Sequence, residues 1–168
     1  GMLARTDTGL AQIDYSASDT TARSIGLFSV ANAGGDIDIN YSGRIQTSGD
    51  SAHGIRAIAR TNAPGSGAGR APKTGGIVIR NSGPILTQGN GARGIYAENF
   101  GSGDISIDKR GAITTQGLDA DGIYANSTLT GNPVAFSPPG PLTISSSGNV
   151  TATGNGIYAI NGTKGTDL

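Results

Sequence analysis

Residues 75–97 read GGIVIRNSGPILTQGNGARGIYA, and the same frame occurs at 35–57 as GDIDINYSGRIQTSGDSAHGIRA and at 103–125 as GDISIDKRGAITTQGLDADGIYA. A fourth copy, GPLTISSSGNVTATGNGIYA, covers 140–159. The shared frame is G-x-I-x-I-x-x-x-G-x-I-x-T-x-G followed by A-x-G-I-x-A. Its closing G-I-x-A begins at Gly54, Gly94, Gly122 and Gly156, at intervals of 40, 28 and 34 residues. A weaker copy is read at 22–27, ARSIGL, with Ile25 standing for Ile55, 30 residues further on. Self-similarity at such a spacing is the mark of a repeat architecture.

Within a copy the apolar period is two. Ile37 and Ile39, Ile45 and Thr47, Ile55 and Ala57 each skip one residue, as the inward positions of strands do. β-Branched residues fill these slots, and glycines such as Gly43 and Gly49 fall between the pairs, where the chain turns. Each copy therefore reads as three short strands, and a stack of copies as an all-β, right-handed, single-stranded parallel β-helix of about four to five coils. A single coil can neither bury its isoleucines nor pair its backbone, whereas coils stacked about 4.8 Å apart do both. Residues 1–34 are expected to form a degenerate coil or cap, and 35–168 the repeats, with coils near 35–57, 75–97, 103–125 and 140–159. Inserted loops at 60–74 and 126–139 are expected to leave the rod at one corner.

Composition agrees with a thin rod and excludes several functions. Glycine accounts for 29 of 168 residues, a share of about 17% against a usual share of about 7%. There is no cysteine, so disulfides and thiolate chemistry are excluded. Twelve basic residues balance 12 acidic ones, which argues against a nucleic-acid partner. No apolar run approaches the roughly 20 residues needed to span a bilayer, so no membrane insertion is expected.

The repeat frame quoted above resembles the passenger domains of bacterial autotransporters over residues 35–159. That resemblance implies a β-helix displayed on, or released from, a bacterial cell surface by a parent exported through the outer membrane. It further implies a non-enzymatic role in adhesion, or as a rigid stalk. The alternative on the same scaffold is a polysaccharide lyase or glycoside hydrolase. No catalytic residue is carried over, because the repeat frame contains none.

The residues themselves offer few sites. His53 is the only histidine and occupies a slot that holds Arg93, Asp121 and Asn155 in the other copies, which reads as a solvated corner. Neither a metal site nor a cofactor is expected. Asp36 and Asp104 lie in outward slots two coils apart, roughly 9–10 Å by strand spacing, at the upper end of an inverting glycosidase pair. Asp38 is close enough to Asp36 to share a cation, but two carboxylates alone do not make a Ca²⁺ site. Thr47, Thr87 and Thr115 form an inward ladder, each hydroxyl expected to partner the next. The strongest candidate is the outward x of G-I-x-A, which reads Arg56, Tyr96, Tyr124 and Tyr158 through the copies. Two readings stand: a contact surface for a glycan or surface protein, or rings that stabilise neighbouring strands. End-to-end self-association through uncovered strand edges is also expected.

Overall fold

The structure is a computed structural model that describes residues 1–16, 19–60, 75–129 and 139–163. Strand β1 (Met2–Thr6) precedes five successive coils of three strands. The first coil is β2 (Leu10–Tyr15), β3 (Thr20–Ala22) and β4 (Leu27–Ala31); the second is β5 (Asp36–Tyr41), β6 (Ile45–Thr47) and β7 (Ile55–Ala59). The third is β8 (Ile77–Asn81), β9 (Ile85–Thr87) and β10 (Ile95–Asn99), and the fourth β11 (Ile105–Lys109), β12 (Ile113–Thr115) and β13 (Ile123–Leu129). The fifth is β14 (Leu142–Ser146), β15 (Val150–Thr151) and β16 (Ile157–Thr163).

Every strand pairs in parallel with its counterpart one coil away. The first sheet runs β1-β4-β7-β10-β13-β16, the second β14-β11-β8-β5-β2 and the third β15-β12-β9-β6-β3. The chain is thus an all-β parallel β-helix. The described residues among 1–34 supply β1 and the three strands of the first coil.

Equivalent residues stack in register, which makes the interior a set of ladders. Ile39 pairs with Ile79, which pairs with Ile107; Ile45, Ile85 and Ile113 do the same in the third sheet. All six are buried, and each buried Ile side chain contributes about 1.5–3 kcal/mol. The register corrects one alignment: Leu27, not Ile25, lies opposite Ile55. Gly26 thereby stacks on the G-I-x-A glycines, and its N–H donates to the His53 carbonyl. Residues 126–129 also depart from expectation, because they extend β13 and pair with 160–163 of β16 instead of opening a loop. The other proposed insertion positions, 61–74 and 130–138, lie outside the described residues.

The glycines turn the chain less by unusual torsion than by allowing coils to approach. At Gly94 an added Cβ would lie 2.5 Å from Ile113 Cγ2 and 2.6 Å from the Gly122 carbonyl oxygen. Left-handed backbone is confined to other positions, among them Ser51, Gly91 and Asp119, which share one turn of successive coils.

The threonine ladder is present, but its bonds run differently from the expected Thr-to-Thr chain. Thr47, Thr87 and Thr115 donate from Oγ1 to the carbonyls of Ala52, Ala92 and Ala120 at 2.5, 2.6 and 2.7 Å. Each hydroxyl closes the turn of its own coil on the carbonyl five residues on, whereas the strand carrying the next threonine lies about 4.8 Å away.

Candidate functional site

The outer face of the first sheet carries the predicted row. Arg56 pairs with Tyr96, Tyr96 with Tyr124, and Tyr124 with Tyr158. The parallel register aligns them without any offset. Tyr96 and Tyr124 stack with centroids 5.1 Å apart and planes 7° apart; Tyr124 and Tyr158 stack at 5.6 Å and 13°. These separations follow the roughly 4.8 Å spacing of paired strands. Phe28, one coil below Arg56, extends the row although the sequence reading did not include it. The Arg56 guanidinium lies between two rings, 5.4 Å from the Phe28 centroid and 5.5 Å from Tyr96.

A second row flanks the first at the corner before Gly54, Gly94, Gly122 and Gly156. It consists of His53, Arg93, Asp121 and Asn155, and here the structure overturns the solvated-corner reading. His53 is only 6% exposed and stacks on Tyr96 at 4.8 Å with 5° between the planes. Arg93 bonds Asp121 from Nε at 2.8 Å and lies over Tyr124 at 4.4 Å and Tyr96 at 5.3 Å. Asp121 Oδ1 also accepts the Asn155 backbone N–H at 2.9 Å and its Nδ2 at 3.0 Å. The variety of residue types had suggested a featureless surface. Instead, each type meets a different neighbour one coil away, and Arg above Asp in successive copies was the signal of a pair.

Electrostatics fix the protonation states in this cluster. Burial, then the charges of Arg56 and Arg93, lower the His53 pKa to about 4, so the ring is neutral at pH 7. Burial raises the Asp121 carboxyl, but Arg93 and the Asn155 donors outweigh it and hold it below the ordinary value. With its oxygens occupied and its charge stabilised, Asp121 is a poor proton acceptor. Burial and a hydrogen bond to Glu98 push the Tyr96 phenol well up, and burial raises Tyr124 as well. Both phenols are protonated at neutral pH.

The stacking also determines what the row can present. Tyr96 and Tyr124 have both faces engaged by rings or guanidinium groups, which leaves their ring edges for contact. Beside them, Arg93, Asp121, Tyr124, Asn155, Tyr158 and Ile160 line an open depression of about 310 Å³. Its lining is mainly hydrogen-bonding groups, with Ile160 and the tyrosine rings beside them, a combination that suits a polar ligand.

The acids of the second sheet engage separate partners. Asp36 accepts the Gly76 N–H at 2.9 Å, and Asp38 pairs with Arg80 at 2.9 Å, so each engages a different partner. The depression on this face, about 190 Å³, is lined by Asn40, Arg80, Asn81, Ser82, Asp108 and Arg110 and does not include Asp36 or Asp104. Among the described residues no group of three or more His, Cys, Asp or Glu is disposed to hold a metal ion. No helix among them is long and apolar enough to cross a membrane.

Fold and site together define a parallel β-helix bearing an outward aromatic stripe. The chain matches no protein-family model, no curated protein and no solved structure.

Proposed function

We propose that this chain is a β-helical segment of an exported bacterial surface protein of the autotransporter-passenger kind, acting without catalysis in cell-surface contact. The observation that carries this reading is the stripe of Arg56, Tyr96, Tyr124 and Tyr158, backed by His53, Arg93 and Asp121. It is the largest concentration of aromatic and cationic side chains among the described residues, and such residues dominate contact energies. The partner is a glycan or a surface protein, engaged through ring edges, phenol hydroxyls and the Arg93–Asp121–Asn155 group. The repeat frame, through its resemblance to passenger domains, supports a bacterial cell-surface or extracellular location.

The test compares the wild-type chain with the Tyr96→Ala, Tyr124→Ala, Tyr158→Ala triple variant on a glycan array and on immobilised bacterial cells. Retention of the β-sheet circular dichroism spectrum identifies a folded variant. The reading expects wild-type binding to fall at least about 10-fold in the folded triple variant, the range for losing interface anchors. Equal binding by the folded variant, or no wild-type binding to either probe, overturns it in favour of a stalk. The exported origin is tested separately by the parent gene, which should encode a signal peptide upstream and an outer-membrane barrel downstream.

A further inference from the structure

His53 is the only imidazole in the chain, and it stands where two rows of the stripe meet. Its ring is buried against Tyr96, and Nδ1 accepts the backbone N–H of Arg93 at 3.1 Å. An accepting Nδ1 carries no proton, so the hydrogen of the neutral ring resides on Nε2. The groups facing it are Arg56 from β7, Arg93 from the turn before β10, and the Tyr96 phenol from β10. Arg93 is itself held by Asp121 from the next coil, and the register places apolar Ile25 at the corresponding position one coil below. The charges that act on the imidazole are the two guanidinium groups.

Protonation therefore meets two obstacles in the same place. A proton on Nδ1 would face the Arg93 N–H, setting donor against donor and leaving that amide unpaired. The new positive charge would also join Arg56 and Arg93 in a site shielded from water. Movement of the ring towards solvent relieves both. It also strips one face of Tyr96 and loosens the turn that carries Arg93, whose side chain spans Tyr96, Tyr124 and Asp121.

We propose that His53 is an acid-sensitive latch for the stripe: the neutral imidazole holds the Tyr96 ring and the Arg93 turn in place, and protonation releases both. The biological meaning of the latch rests on the contact role proposed above, whereas its physical operation does not.

A lone histidine makes the test direct. NMR of the wild-type chain follows the His53 ring, the Tyr96 ring and the Arg93 amide from pH 7.5 to 3. The expected result is a His53 midpoint well below the ordinary 6.5, near 4, with the Tyr96 and Arg93 signals moving at the same midpoint. His53→Gln keeps an acceptor but does not titrate, and His53→Phe keeps a stacking ring; either one, if folded, should lose the shared transition. Because Asp121 also titrates in acid, persistence of the transition in a folded variant overturns the latch. A His53 midpoint near 6.5, with Tyr96 and Arg93 unmoved, overturns it as well. No partner is present in this experiment, so a stripe that binds nothing leaves its outcome unchanged.

Discussion

Lys109 and Gly83 meet inside the solenoid: the Lys109 ammonium donates to the Gly83 carbonyl of the coil below at 2.7 Å. It also donates to the Gly111 carbonyl of its own coil at 2.6 Å. The side chain is fully buried, in an inward column that runs Tyr41, Asn81, Lys109 and Ser146 through successive coils. The two carbonyls supply partners that a buried cation requires. Burial nevertheless lowers the Lys109 pKa from 10.5 to about 8.

That shift gives stability a defined pH dependence. Between about pH 8 and 10.5 the unfolded chain holds a proton that the folded chain has released, so unfolding takes up a proton and stability rises with pH. Tyr96, whose phenol is raised from 10.0, acts in the opposite direction only above about pH 10. Urea unfolding from pH 8 to 10 should therefore show the wild-type midpoint rising relative to that of Lys109→Met. Parallel curves for the two proteins would contradict the assignment.

Two glycines in the same motif should respond oppositely to a methyl group. Gly94→Ala sets a Cβ against Ile113 and the Gly122 carbonyl, and neither can retreat without moving a strand. A loss of about 1–3 kcal/mol or more is expected. Gly156→Ala meets nothing within 4 Å, and its effect should stay within about 0.5 kcal/mol. Thermal or urea unfolding of the pair measures the contrast, and equal losses would refute the close-approach role.

The threonine turns can be probed by isosteric replacement. Thr87→Val keeps shape and burial but deprives the Ala92 carbonyl of its 2.6 Å donor. Leaving a buried acceptor unpaired costs about 1–3 kcal/mol. Thr114→Val, on the half-exposed outer side of β12, should change stability by less than about 0.5 kcal/mol. Matching losses at both positions would show that the hydroxyl bond is irrelevant.

Among the described residues, β1, β2 and β3 at one end and β14, β15 and β16 at the other each pair with a strand on one side. Leu3 is 67% exposed and Leu10 53% at one end, and Ile157 48% and Tyr158 43% at the other. All three sheets are parallel throughout, so β14, β15 and β16 of one copy can continue into the edge strands β2, β3 and β1 of another. Sedimentation velocity should show concentration-dependent, end-to-end association. Leu3→Pro, which places a residue without an N–H in edge strand β1, should weaken it. A sedimentation coefficient independent of concentration up to the millimolar range would exclude this stacking.

Much of the fold was legible because its signals are local. Alternation marked Ile37, Ile39, Ile77 and Ile79 as inward, and each is buried. The tyrosine row was legible for a related reason: parallel strands in register stack equal positions of equal repeats, so alignment of the copies placed Tyr96, Tyr124 and Tyr158 together. Lys109 was within reach of the same logic, since Ile105, Ile107 and Lys109 continue one alternation. A charged residue type obscured it. His53 was harder to read, because the four residues in its slot share neither charge nor size.

The order of glycines and β-branched residues along the chain carries the strands, the corners and the inward faces, since each depends on torsions and on a two-residue period. The partnerships between coils depend instead on which atoms face each other across about 4.8 Å. Only the folded solenoid brings His53 onto Tyr96 and Lys109 onto the Gly83 carbonyl. The contacts of His53 with Tyr96 and of Lys109 with Gly83 join positions that are unlike in the repeat, so no alignment of the copies reveals them. They are set by side-chain reach, burial and charge in three dimensions, and they give the aromatic stripe its shape and its proton-sensitive edge.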